Sequence, residues 1–166
     1  MRSLQKLYEM FVRAASGLES PFLLIVRLYW GWQFIETGWG KLGALGRVTG
    51  YFASLGIPAP ALNAAFISGL EFAGGILLAA GLGSRFIAFL LTADMAVAYW
   101  LGDHAALLSF FSDPDKFAAA APFTFLMASL IVLIFGPGKL ALDALIAKRF
   151  GTIATSTHVG RQALQL

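Results

Sequence analysis

Residues 62–102 read LNAAFISGLEFAGGILLAAGLGSRFIAFLLTADMAVAYWLG, and this stretch decides the fold class. It contains two apolar runs, 62–82 and 84–102, which are separated only by Gly83. Each run is close to the roughly 20 residues that a helix needs to cross the hydrocarbon core of a bilayer. The stretch therefore predicts two antiparallel membrane helices joined by a tight turn.

Two more runs have the length and composition of membrane spans. They are PFLLIVRLYWGWQFIETG at 21–38 and FAAAAPFTFLMASLIVLIFG at 117–136. The whole chain is 58% hydrophobic and 13% charged, whereas about a quarter of the residues in a soluble domain are charged. We therefore predict an all-α fold, a four-helix transmembrane bundle with short interfacial helices.

Three shorter segments have the amphipathic pattern of helices that lie at a membrane surface. Apolar residues recur at helical spacing between Leu4 and Ala15, and again in the loop after the first span, at Leu45, Val48, Tyr51, Phe52 and Leu55. A short tail helix is expected around Leu140–Ile146. The predicted organisation is an N-terminal interfacial helix at 1–19, a four-span membrane domain at 20–137, and a C-terminal cytoplasmic tail at 138–166.

The distribution of basic residues predicts the orientation, because cytoplasmic segments carry an excess of Lys and Arg. With four spans, both termini lie on one side of the membrane. That side holds eight basic residues, Arg2, Lys6, Arg13, Arg85, Lys139, Lys148, Arg149 and Arg161. The other side holds three, Lys41, Arg47 and Lys116. We therefore expect both termini in the cytoplasm of a bacterial cell, with the protein in the inner membrane.

Several motifs occur in a fixed order along the spans. R-x6-F-x3-G-x2-K-L starts at Arg27, a Gly-Ile-Pro-Ala-Pro loop occupies 56–60, and E-x2-G-G-x-L-L-x2-G-L starts at Glu71. Arg85, an Asp94-Met95-x-x-Ala98 segment and a G-P-G-x-L-x-L-D segment at 136–143 follow. Together these motifs resemble the DoxX family of small four-helix bacterial membrane proteins.

The resemblance implies a fold and a membrane location more than it implies a reaction. Some members of the family resemble the small membrane subunit of a thiosulfate:quinone oxidoreductase. Others are connected with a membrane assembly that includes a superoxide dismutase and a sulfurtransferase. A redox role in the membrane, with quinone as a candidate cofactor, is the function that the resemblance favours.

Besides Arg85 at the start of the third span, four acidic or basic residues lie inside the predicted spans: Arg27, Glu36, Glu71 and Asp94. A charged group in hydrocarbon costs several kcal/mol unless it is paired, hydrated or neutralised. Arg27, Glu71 and Asp94 fall nearest the middle of their spans and form a predicted intramembrane polar core. In its simplest neutral arrangement, Arg27 pairs with one of the two carboxylates. Such a group either holds the helices together or provides a proton-accepting carboxylate beside a bound redox ligand.

The outer end of the first span offers a candidate ligand site, formed by Trp32, Gln33, Glu36 and Lys41. These residues combine an aromatic wall, hydrogen-bond donors and a carboxylate, which a quinone head group requires. The same residue types also serve as anchors at the membrane interface, so the pattern leaves both interpretations open.

Other chemistries lack the residues that they need. The chain has no cysteine and two histidines, so neither an iron–sulfur cluster nor a bis-histidine haem held by this chain alone is expected. No metal site and no nucleic-acid surface are predicted. The expected partners are the lipid bilayer and a soluble or membrane redox protein, with a second copy of the chain left open. The leading function is a membrane subunit of a redox assembly. The alternative is a small proton-coupled transporter or a lipid-binding scaffold without electron transfer.

Overall fold

The computed structural model describes residues 2–149, and every regular element among them is an α-helix. The helices are α1 (Arg2–Gly17), α2 (Glu19–Gly43), α3 (Leu45–Ser54), α4 (Pro60–Ala80), α5 (Ser84–Leu101), α6 (His104–Leu108), α7 (Pro114–Ala119), α8 (Pro122–Phe135) and α9 (142–149). The predicted all-α fold is thus confirmed. Residues 150–166 of the predicted tail lie outside the described residues.

One apolar core joins α2, α4, α5 and α8. Each of these helices contributes a completely buried side chain, respectively Phe34, Leu78, Leu91 and Val132. Many other apolar side chains of the same helices are exposed on the outside of the bundle, where a bilayer would cover them. Lipid is as apolar as leucine, so close packing rather than exclusion of water must hold such helices together.

Glycines make the contact between α2 and α4 unusually close. A Cβ atom placed on Gly38 would lie 2.7 Å from Phe72 Cα, and one placed on Gly75 would lie 2.7 Å from the carbonyl oxygen of Gly31. Real Cβ atoms do not approach backbone atoms so closely, so only glycine permits the two helices to pack at this distance. Small residues have the same role in many membrane helix pairs.

The helices differ in whether they could cross a membrane alone. Among the described residues, α4 and α5 are long and apolar enough to do so. α2 has 25 residues, but its composition is more polar. α8 is apolar but has 14 residues, which correspond to about 21 Å of helix, less than the ~30 Å of a hydrocarbon core.

The predicted fourth span at 117–136 is therefore divided into two helices. α7 ends at Ala119, Ala120 is extended (φ −67°, ψ 140°), and α8 starts at Pro122. Proline has no N–H to continue a preceding helix, but it suits a first helical turn. The apolar composition of 117–136 concealed this break.

The turn between α4 and α5 is fixed by a residue that lies far along the chain. Gly81 and Gly83 both adopt positive φ angles. The Asp143 carboxylate accepts hydrogen bonds from the backbone N–H of Gly83 at 2.8 Å, and from the N–H and hydroxyl of Ser84 at 2.9 and 2.8 Å. The N–H of Asp143 donates to the carbonyl of Gly81 at 2.9 Å. Asp143 thereby caps α5 and attaches the segment after α8 to the bundle.

We expect Gly38→Ala to destabilise the bundle by about 1–3 kcal/mol, because the added methyl group forces α2 and α4 apart. The measurement is the melting temperature of the purified protein in detergent. Gly40→Ala is the matched control, since a Cβ at Gly40 meets nothing within 4 Å and alanine favours the helix. Equal melting temperatures for the two variants would contradict the close α2–α4 contact.

Asp143 should make stability depend on acid pH. Burial alone would raise the pKa of Asp143, but the hydrogen bonds from Ser84 and Gly83 and the charge of Arg27 outweigh it and lower the pKa below its ordinary value. A carboxylate whose pKa is lowered on folding stabilises the fold above the unfolded pKa, about 3.9 for aspartate. This stabilisation is lost as pH falls through the lower folded value.

Asp143→Asn should therefore lower the melting temperature near neutral pH, with a loss of about 1–3 kcal/mol from weakened charged hydrogen bonds. The difference from the wild type should shrink as the pH falls below about 4. Glu9→Gln, on the exposed surface of α1, controls for a general effect of removing a carboxylate. A difference that stays constant with pH would contradict the role of the Asp143 charge.

Candidate functional site: a cavity beneath α3

A cavity of about 550 Å³ lies among α2, α3, α4, α5 and the start of α8. Drug-sized ligands typically bind in pockets of 300–1,000 Å³, so the volume suits a small organic molecule. Most of its wall is apolar, and its aromatic residues are Phe34, Tyr51, Phe52 and Phe125. A few polar and charged side chains interrupt this apolar wall.

α3 covers the cavity with its apolar stripe. Val48, Tyr51, Phe52 and Leu55 all line it, and they belong to the amphipathic pattern that predicted a helix here. Backbone turns with positive φ at Gly56 and Ala59 then lead the chain from α3 into α4. The predicted helix within the first loop is thus confirmed, and the structure shows its apolar face directed at the bundle.

The polar residues deep in the cavity come from three helices. Lys41 of α2 forms an ion pair with Glu71 of α4, in which the lysine Nζ donates to Glu71 Oε1. Asp94 of α5 interacts electrostatically with both members of the pair. We call Lys41, Glu71 and Asp94 the polar triad. Glu71 is 1% exposed and Asp94 is 8% exposed, so both carboxyl groups are almost fully removed from the surface.

Each carboxyl group of the polar triad keeps one buried oxygen without a hydrogen-bond donor. Within the described part of the chain, Glu71 Oε2 and Asp94 Oδ2 have no partner. A buried acceptor that lacks a donor is costly, because its hydration has been lost without replacement. Glu71 and Asp94 also lie within hydrogen-bonding reach of each other, so a proton shared by this pair, or a ligand that reaches it, would satisfy these atoms.

The predicted ligand residues divide between two faces of α2. Lys41 lines the cavity together with Phe34 and Thr37, which share its face at the i, i+3 and i+7 spacing of a helix. Trp32 and Glu36 are four residues apart on a different face and are exposed, and Gln33 is half-buried outside the cavity lining. The structure thus does not bring the four predicted residues into one site.

Arg27 is buried, as the predicted polar core requires, but it lies apart from Glu71 and Asp94. Its Nη2 donates to the carbonyl oxygen of Leu140 at 2.6 Å, and it interacts electrostatically with Asp143. Lys41, which pairs with Glu71, is 14 residues further along α2, or about 21 Å along the helix axis. The expected pairing of Arg27 with an intramembrane carboxylate is therefore replaced by the Lys41–Glu71 pair.

The first span was predicted to end at residue 38, whereas α2 continues to Gly43 and carries Lys41 on the face that lines the cavity. One motif, R-x6-F-x3-G-x2-K-L, contains both Phe34 and Lys41. Their i, i+7 spacing within it indicates that they share one face of a helix. The lining residues Arg47, Asn63 and Asp103 were also missed. Their sequence neighbourhoods resemble ordinary solvated helix ends, so no comparable signal marked them.

The chain matches a known protein family over half of its length. The family model described as DoxX matches residues 22–104, which is half of the 166-residue chain. The chain belongs to the DoxX family. In this DoxX protein the matched region runs from the start of α2 to the start of α6, and it contains the complete polar triad. No match was found among curated proteins or solved structures.

Family membership and the two long apolar helices α4 and α5 identify a helical membrane protein. The match also includes both partners of the glycine contact between α2 and α4 and all of α3. The cavity is therefore built mainly from the part of the chain that defines this DoxX protein. Only its lining residues Ala121, Pro122 and Phe125 come from outside the matched region.

Replacing only Lys41 of the ion pair should lower the stability of the protein more than replacing both Lys41 and Glu71. Lys41→Met leaves two buried carboxyl groups without their cation and should destabilise the protein by about 1–3 kcal/mol, less than a fully buried pair because Lys41 is partly exposed. Lys41→Met/Glu71→Gln removes one of the unpaired charges and should recover much of that loss. Melting temperatures of the two variants test this, and a double variant less stable than Lys41→Met would contradict the pairing.

Proposed function

We propose that this protein is an integral inner-membrane subunit of a redox assembly and that it binds a quinone or a related lipid-soluble molecule in the cavity beneath α3. The observation that carries the proposal is the polar triad, whose buried carboxyl groups line a largely apolar cavity with four aromatic residues in its wall. In this proposal both termini lie in the cytoplasm, following the bias of the basic residues.

The residues of the cavity fit the chemistry of a quinone head group. A quinone carbonyl accepts hydrogen bonds, and Lys41 Nζ and the Tyr51 hydroxyl are donors in the cavity wall. Phe34 of α2 and Phe125 of α8 supply aromatic surface in the wall. A bound quinone would supply two-electron, two-proton redox chemistry. The carboxyl groups of Glu71 and Asp94 could hold or release a proton beside it.

Electron transfer would need a partner in this proposal. The chain contains no cysteine and no motif for a haem, so a second protein would carry the electrons. Trp32, Gln33 and Glu36 remain an alternative location for the ligand head, because they face outward from α2 and a lipid-soluble molecule could reach them from the bilayer. Lys41 would take part only in the cavity arrangement, since it lines the cavity.

The alternative function is a proton-coupled transporter or a lipid-binding scaffold without electron transfer. The observation that favours it is the charge of the polar triad, which has two carboxyl groups for one ammonium group. An imbalance of this kind within a membrane is typical of sites that take up and release protons.

Mass spectrometry of the lipid-soluble molecules retained by the purified protein tests the proposal. We expect quinone in the wild type, strong depletion in Glu71→Gln, and depletion in Val48→Trp, which fills the cavity from α3 without altering the polar triad. Glu36→Gln should retain quinone. Melting temperatures establish that each variant is folded.

The opposite pattern, with quinone lost in Glu36→Gln and kept in Val48→Trp, would move the site to the outer face of α2. Retention of phospholipid alone by the wild type would contradict the quinone proposal and favour the alternative function. The same purified samples and mass spectra distinguish these results.

A further inference from the structure

The charges around the cavity do not balance at its polar end. Lys41 contributes one positive charge, whereas Glu71 and Asp94 contribute two negative charges when ionised. The other titratable groups that line the cavity come from α3 and from the turn after α5, and they are Arg47, Tyr51 and Asp103. Arg47 and Asp103 carry opposite charges, Tyr51 is neutral, and the cavity lining from α8 has no charge.

This excess of one negative charge is buried. Glu71 and Asp94 are both more than nine-tenths buried, and each has an oxygen without a donor in the described residues. An ionised carboxylate can only accept hydrogen bonds, and a buried charge without a partner costs several kcal/mol. The site is therefore neutral and satisfied only when it holds one proton or one bound cation.

The remainder of the cavity suits the apolar body of such a cation. Aromatic faces attract ammonium and guanidinium groups, and rings of Phe34, Tyr51, Phe52 and Phe125 line the wall. The volume of about 550 Å³ exceeds what a metal ion or a lone ammonium ion would require. The polar triad and its surroundings thus match a molecule with one cationic end and one apolar end.

We propose that the cavity binds an organic monocation, an ammonium or guanidinium group on an apolar body, with its cationic end against the carboxyl pair of Glu71 and Asp94. Binding of the cation displaces one proton from the carboxyl pair, so the two compete for the same site. This inference goes beyond the redox proposal, because it concerns a different ligand class and does not depend on a bound quinone.

The test compares two probes of the same shape, 4-phenylbutylamine and 4-phenylbutanol, binding to the protein in lipid nanodiscs, with empty nanodiscs subtracted. Isothermal titration calorimetry at pH 7.5 should show the amine binding at least about tenfold more tightly than the alcohol, since only the amine makes charged hydrogen bonds. The affinity for the amine should fall as the pH is lowered towards 5.5. Titrations in buffers of different ionisation enthalpy should show proton release on binding.

Asp94→Asn should weaken amine binding at least about tenfold and abolish its pH dependence. Asp94→Glu keeps the charge and should retain binding. Asp115→Asn, which removes an exposed carboxylate on α7, should bind as the wild type does. Size-exclusion chromatography and melting temperatures separate loss of binding from loss of folding.

Equal affinities for amine and alcohol, or equal effects of Asp94→Asn and Asp115→Asn, would overturn the inference. If quinone is retained but the amine does not bind, the redox proposal stands and this one fails. If the amine binds and no quinone is retained, this inference stands and the redox proposal fails.

Discussion

The close contact between α2 and α4 determines where the rest of the molecule can lie. Gly31 and Gly38 of α2 pack against the backbone of α4 around Phe72, Gly75 and Ala79, so the two helix axes are fixed relative to each other without intervening side chains. This register places Lys41 opposite Glu71. It also leaves, next to Phe34, the cavity that α3 covers. In a bilayer, where lipid competes equally well for apolar side chains, such backbone-to-backbone proximity gives specificity that apolar side chains alone could not.

The polar triad depends on this register and also on the length of α2. A helix that ended at Gly38, as composition suggested, would have left Lys41 in a loop and Glu71 without a cation. Because α2 continues to Gly43, the ammonium group reaches the carboxylate from within the bundle. These charges in turn give a largely apolar cavity a buried ionisable region.

Local patterns in the sequence predicted the local features well. The apolar stripe of α3, the hairpin of α4 and α5, and the burial of Arg27, Glu71 and Asp94 all follow from periodicity and from the cost of charge in an apolar medium. The partner of each buried charge did not follow, because it depends on the relative height of helices that are distant in sequence. Arg27 and Lys41 are both basic residues of α2, and only the packing of α4 and of the segment after α8 decides which of them meets Glu71. The break before Pro122 was missed because composition averages over a whole segment, whereas one imino acid ends a helix.

The hydrogen bond from Arg27 to Leu140 joins residues 113 positions apart. During synthesis, Arg27 emerges from the ribosome long before its acceptor exists, and Asp143 emerges later still. The guanidinium group therefore lacks this acceptor while α3 to α8 are made. This end of the bundle therefore cannot close before Leu140 has been made, so its closure is coupled to completion of almost the entire described chain.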